Sequence, residues 1–211
     1  MMPGPDILYN CPECGRTFYA ESIASGNTIG AVFWSDGYID APMLPDNPPF
    51  VRCPHCKVGL WLDKLEEIEE RPIILRNSAD SNSIPKCLQP DTKSIYSQLS
   101  KSNHSYDQEI WLLQRLLQIT NHRRRKIRRP LSRNGKFALE AFIELVPYYY
   151  SDDTYLFLIE CHRELGNLKK AEEMCDYSEL LKTDTEHFIK KQMEWIKAKD
   201  PYPNILLNDN D

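Results

Sequence analysis

Four of the seven cysteines stand in two C-P-x-C tetrapeptides, Cys11-Pro12-Glu13-Cys14 and Cys53-Pro54-His55-Cys56. A C-x-x-C turn puts two sulfurs on one side of a tight knuckle. Two such turns complete the tetrahedral four-thiolate shell that zinc takes, with Zn–S bonds of about 2.3 Å. An odd cysteine count suits metal ligation better than a disulfide framework. The expectation is one structural zinc ion on Cys11, Cys14, Cys53 and Cys56. Four thiolates leave no open coordination position, so such a zinc holds structure and does not turn over a substrate. Arg16, Arg52 and Lys57, each within two residues of a ligand, are placed to offset the net negative charge of the site.

Two details of the tetrapeptides bear on this reading. C-P-H-C is also the active-site sequence of some thiol oxidoreductases, where the first cysteine is an activated thiolate. That chemistry calls for a helix beginning at the motif inside a βαβ fold of roughly 100 residues. Here a strand-like, glycine-containing segment follows, and a second C-P-x-C precedes it. His55 lies between two ligands and is expected to turn outward as a surface side chain. Gly15, just after the first pair, suits the positive φ that aims backbone N–H groups at the sulfurs. Lys57 holds the equivalent place after the second pair, a departure from that pattern.

These ligands need elements to hold them. Between Cys14 and Cys53 lie 38 residues, room for a hairpin excursion that brings the knuckles face to face. GAVFWSDGYIDAPML is the candidate: two β-rich runs flank Ser35-Asp36-Gly37, and Asp-Gly supplies a hairpin turn. Lys57–Leu62 reads as a further strand and LDKLEEIEE as a short helix stopped by Pro72. Residues 1–70 thus read as a small β domain of the zinc-ribbon type, too small to be stable without its metal. Residues 71–104, rich in proline and serine, read as an irregular linker, and 201–211 as a frayed tail in which Ile205, Leu206 and Leu207 are able to dock.

Residues 105–200 carry a helical pattern with legible caps. Ser105-x-x-Gln108 is a capping box opening a helix with Ile110, Leu113 and Leu117 on one face. A second helix spans Gly135 to Val146 before Pro147. Ser151 caps a third, with Asp152 and Asp153 at the positive end of its dipole. Gly166-Asn167 turns into a fourth, ending near Leu181, and Thr183-x-x-Glu186 opens a fifth. Trp111, Phe137, Phe142, Leu145 and Phe157 are expected in the core. The fold class expected is α+β, a small zinc-ribbon β domain followed by an all-α domain.

Tyr155–Asp176, YLFLIECHRELGNLKKAEEMCD, resembles a tetratricopeptide repeat. Gly166 stands at the turn, Ala171 at the small packing position of the second helix, and Tyr155 and Leu158 on the first helix. Cys175 and Ser178 depart from the pattern, and NGKFALEAFIELVP echoes it faintly. Over residues 8–62 and 135–182 the chain resembles bacterial-type proteins with an N-terminal zinc ribbon and degenerate tetratricopeptide-like helices. The resemblance implies a non-catalytic adaptor that docks a protein partner. A plain helical bundle supporting the ribbon is the alternative for the same residues.

The sharpest charge feature is His122–Lys136, with eight Lys or Arg and no acid in a chain of net charge −5. Arg123, Arg124, Arg125, Lys126, Arg128 and Arg129 form a candidate anion or nucleic-acid patch. They are equally suited to complement a helix C-terminus, or to pair with the acidic run Glu66–Glu70. A nucleic-acid-associated protein is therefore the second functional expectation, although the run holds no aromatic residue for base stacking. No nucleophile elbow, phosphate-binding loop or H-E-x-x-H pattern occurs, so no enzyme is expected. Hydrophobic residues at 41% and charged at 27% describe an ordinary globular chain. With no apolar run of membrane-spanning length and no signal-like start, the expectation is a cytoplasmic protein without a membrane partner.

Overall fold

A computed structural model describes residues 1–71, 84–101, 103–146, 151–177 and 186–208. In chain order its strands are β1 Met2–Asn10, β2 Thr17–Ser25, β3 Val32–Trp34, β4 Ile39–Asp40, β5 Phe50–Arg52, β6 Gly59–Trp61, β7 Glu67–Arg71 and β8 Ile205–Asn208. The helices are α1 Thr92–Leu99, α2 Tyr106–Lys126, α3 Arg133–Leu145, α4 Asp152–Glu164, α5 Leu168–Asp176 and α6 Glu186–Lys197. The class is α+β. The chain divides into two compact units: one formed by Met1–Ala31 and Ala41–Ser102, the other by Val32–Asp40 and Asn103–Asp209.

The first unit is built on two antiparallel hairpins. β1 and β2 pair from Asn10↔Thr17 outward, β7 lies on the other side of β1, and β5 pairs with β6. Tyr9, Phe18, Val51 and Leu60 form the core beside Cys11 and Cys53. The segment before α1 stitches the hairpins together. The Tyr19 amide donates to Pro85 O and the Cys87 amide to Tyr19 O, while Arg52 and Leu88 exchange both of their backbone bonds. The described part of 71–104 is therefore ordered, not an irregular linker. It also carries α1, opened by a capping box between Asp91 and Ser94.

The short helix expected over LDKLEEIEE is absent. A single 3₁₀ turn at Leu62–Lys64 leads into β7, whose residues from Glu67 pair with β1. A helix would stack Glu66, Glu69 and Glu70 at i, i+3 and i+4, where like charges repel. An extended strand spreads them into solvent, and the free edge of β1 supplies a ladder for it.

The second unit contains the hairpin that the sequence assigns to the ribbon. β3 and β4 close on Asp36-Gly37 as expected: the Trp34 amide donates to Tyr38 O at 2.9 Å and Gly37 takes φ 75°. The pair belongs with the helices, however, because β8 adds to β3 through Phe33↔Leu207 and Trp34↔Ile205. The tail is thus docked through 205–208. Ser105 and Gln108 form the capping box of α2, Ser132 caps α3, and Ser151 caps α4. α4 and α5 turn about Gly166, with Ala171 buried on α5 and Phe142 against Phe157 at 4.6 Å. α3 buries Gly135, Ala138, Leu139 and Phe142, a stripe at helical spacing, so Phe137 faces away and is exposed, against expectation. Pro147, the Thr183 cap and the end of the fourth expected helix near Leu181 lie outside the described residues.

Candidate metal centre

Each cysteine pair sits in the loop of one hairpin, and the two loops are built alike. In the first, the Gly15 amide donates to Cys11 O at 2.8 Å and the Cys11 amide to Arg16 O at 3.0 Å. In the second, the Lys57 amide donates to Cys53 O at 3.0 Å and the Cys53 amide to Val58 O at 2.9 Å. Asn10↔Thr17 closes the first loop and Arg52↔Gly59 the second. Lys57 takes φ 67°, beside 69° at Gly15. The lysine therefore adopts the left-handed conformation that the sequence reserves for glycine, and its Nζ donates to Pro54 O at 2.6 Å.

The strain falls on opposite sides of this pseudo-symmetry. A Cβ costs roughly 1–2 kcal/mol in the left-handed region, and no heavy atom within 4 Å would oppose one at Gly15 for steric reasons. Gly15→Ala should therefore destabilise the first unit by about 1 kcal/mol through backbone conformation alone. Lys57→Gly should come out close to neutral, since relief of strain is offset by the entropy glycine adds to the unfolded chain, about 0.4–1 kcal/mol. Urea denaturation of the two variants checks the pair, and a loss at Lys57→Gly as large as at Gly15→Ala would contradict it.

The loops meet with their sulfurs interleaved. Cys11 Sγ lies 3.7 Å from Cys56 Sγ, Cys14 Sγ lies 3.8 Å from Cys53 Sγ, and all four sulfurs fall within 4.8 Å of one another. A tetrahedral thiolate site with bonds of about 2.3 Å has sulfur–sulfur edges near 3.8 Å. The four cysteines therefore fit a tetrahedral metal ion. His55 is not part of the set: its Nε2 is 3.0 Å from Thr17 O, on a backbone carbonyl of the other hairpin, and the side chain is half-buried. Burial pushes the Cys11 thiol up to about 12, while the Arg16 amide draws Cys14 below the ordinary thiol range. A metal bound here displaces protons from the sulfurs, so its affinity falls with acid. Cys87 packs against the same core, and Cys161 and Cys175 are buried in the other unit.

The basic run divides in two. Arg123, Lys126, Arg128 and Arg129 are exposed, with Arg128 on Asp200 at 2.9 Å. Arg124 and Arg125 are drawn inside. Arg125 donates to Asp36 at 2.5 Å and stacks over the Tyr38 ring at 4.1 Å. Arg124 pairs with the fully buried Glu164 and donates to Pro201 O at 2.6 Å. Asn121 Nδ2 bridges Asp36 and Glu164 at 3.0 and 2.9 Å. The acidic partners are therefore Asp36, Glu164 and Asp200, where the sequence suggests Glu66–Glu70; those glutamates are exposed on and beside β7 in the other unit.

A second buried group adjoins the first, and sequence reasoning missed it. Arg163 forks onto Glu160 at 2.6 Å and donates to the carbonyls of Asp200 and Tyr202. Glu160 also accepts from Gln192 at 2.8 Å and from the Ser35 hydroxyl at 2.7 Å. The signal lies within α4: Phe157, Glu160, Arg163 and Glu164 share one helical face with buried apolar residues, a place where lone charges are not tolerated. No family model, curated protein or solved structure matches the chain. Among the described residues no helix is long and apolar enough to cross a membrane.

Proposed function

We propose that this protein is a non-catalytic, zinc-binding adaptor of the cytoplasm. Its N-terminal unit is a zinc ribbon stapled by one structural zinc ion, and its tetratricopeptide-like helices dock a protein partner. The observation that carries the metal half is the cluster of four sulfurs, all within 4.8 Å of one another, on two matching hairpin loops. Zinc is the ion proposed because it is redox-inert and a closed tetrahedral four-thiolate shell is typical of its structural sites. For the partner half, support comes from the α4–α5 hairpin, with Gly166 at its turn and Ala171 buried on its second helix. The Tyr155 hydroxyl, which donates to Met174 O at 2.8 Å, ties the two helices of that repeat-like pair.

A pull-down with the zinc-loaded chain, with and without nuclease, tests the partner half. A protein that survives nuclease treatment and binds directly once purified supports the adaptor reading. The competing nucleic-acid reading rests on the exposed cations Arg123, Lys126 and Arg129, since Arg124 and Arg125 are occupied internally. Three phosphate contacts would give a slope of log K against log salt near −2.7 on duplex DNA. The expected result is no binding tighter than micromolar at physiological salt, measured by titrating a labelled oligonucleotide. Submicromolar binding with that slope, lost when Arg123, Lys126 and Arg129 are reversed in charge, would replace the adaptor by a nucleic-acid-associated protein.

A further inference from the structure

Resting on the metal reading above, we propose that metal occupancy of the four-cysteine site sets the stability of the helical unit, transmitted through the inserted hairpin Val32–Asp40. The segment lies between Cys14 and Cys53, inside the loop that the metal would close, yet it folds as part of the other unit. Its two stems are fixed in the metal-held unit. Ala31 is buried with its amide on Thr28 O, the Asn27 amide donates to Met43 O at 3.3 Å, and Leu44 closes a turn on Ala41. Both ends of the hairpin therefore run directly into ordered residues.

The helical unit is incomplete without it. Asp36 is the counter-ion of Arg125 and a partner of Asn121, and Ser35 bonds Glu160 and Asn204. β3 is also the strand on which β8 pairs. Loss of the hairpin leaves buried charges unpaired, a large penalty in a low-dielectric interior. When the metal leaves and the stems unfold, the hairpin must dock from the end of a flexible connection of about 60 residues. The entropy of closing such a loop weakens docking by on the order of 10²-fold. Metal loss thus loosens helices that contain no ligand.

The experiment follows ellipticity at 222 nm during heating of the full chain, with zinc and with a chelator. Among the described residues the first unit contributes only the eight-residue α1, so this signal follows α2–α6. Chelation should lower the helical melting temperature by on the order of 10 °C. A second variant carries flexible Gly/Ser spacers between Ala31 and Val32 and between Asp40 and Ala41; its melt should be lowered already and respond little to chelation. Elemental analysis separates the failures. A chain that purifies with zinc but melts identically after chelation overturns the coupling, as does a spacer variant that responds as strongly as the parent. A chain that neither carries nor takes up zinc overturns the metal reading itself and this one with it.

Discussion

Replacing any one of Cys11, Cys14, Cys53 or Cys56 by serine should release the metal and unfold the unit of Met1–Ala31 and Ala41–Ser102. The reason is that site formation and folding share one free energy, on the order of 10–16 kcal/mol for structural zinc sites. The core around the ligands is small, with Tyr9, Phe18, Val51 and Leu60 as its larger members beside Cys11 and Cys53. Such a core leaves the two ligand-bearing loops dependent on the metal to hold them together. Elemental analysis should find one zinc per chain in the parent and a small fraction of that in each variant. Cys87→Ser, Cys161→Ser and Cys175→Ser should keep the full complement. Two metals per chain, or metal lost on changing Cys161, would refute the four-sulfur assignment. Far-UV circular dichroism of the chelated chain should retain most of its helical signal at room temperature, because α2–α6 have their own apolar core; complete helical collapse would show that the two units form one cooperative core.

Within a single stretch of arginines, neighbouring alanine substitutions should differ several-fold in cost. Arg124→Ala and Arg125→Ala each remove the guanidinium from a buried carboxyl group, Glu164 and Asp36 respectively, and where those carboxyls are ionised, for Glu164 above about pH 8, breaking the buried pair from one side costs about 3–5 kcal/mol. Arg123→Ala and Arg129→Ala touch solvent and should stay within about 0.5 kcal/mol of the parent. Urea denaturation read at 222 nm checks both. Equal, small effects at all four positions would mean that Arg124 and Arg125 stand in water. The network is also sensitive to pH. Burial, with Glu160 and Asp36 adding and Arg124 and Arg163 opposing, raises the Glu164 carboxyl from 4.5 to about 8. A carboxyl whose folded value is raised binds its proton more tightly in the native state. The stability this confers is complete below about pH 4.5 and is lost as pH rises through about 8. Glu164→Gln should remove that slope.

Local chemistry was legible in the sequence, and long-range allocation was not. The cysteine pairs, the Asp36-Gly37 turn and the caps at Ser105 and Ser151 are each written within a few residues, and the structure realises each of them. Lys57 illustrates a near miss: residue type argues against positive φ, but the matching hairpin loop imposes it. β7 was hidden because its glutamates disfavour strand and only the free edge of β1 makes a strand of them. The hairpin was recognised as a hairpin but placed in the wrong unit, since its destination depends on Asn121, Arg125, Glu160 and Arg163, 85 to 128 residues away. No local pattern around Asp36 announces that its carboxylate will be buried.

That allocation imposes an order of events on the nascent chain. Everything the first unit requires has left the ribosome once Ser102 emerges, so its hairpins and strap are free to close early. The Val32–Asp40 loop is then displayed while its partners are still being made. Arg125 and Asn121 arrive next, Arg163 and Gln192 later, and the final strand, with Asn204 bonding Ser35 at a separation of 169 residues, comes last. At typical elongation rates of 5–20 residues per second, that wait amounts to roughly 5–20 s. During it Trp34, Tyr38 and an unpaired Asp36 face solvent, and the incomplete helices expose the other half of the same surface. Two chains translated side by side from one message would offer each other these complementary halves, so misassembly by exchange of the hairpin is the hazard this topology carries.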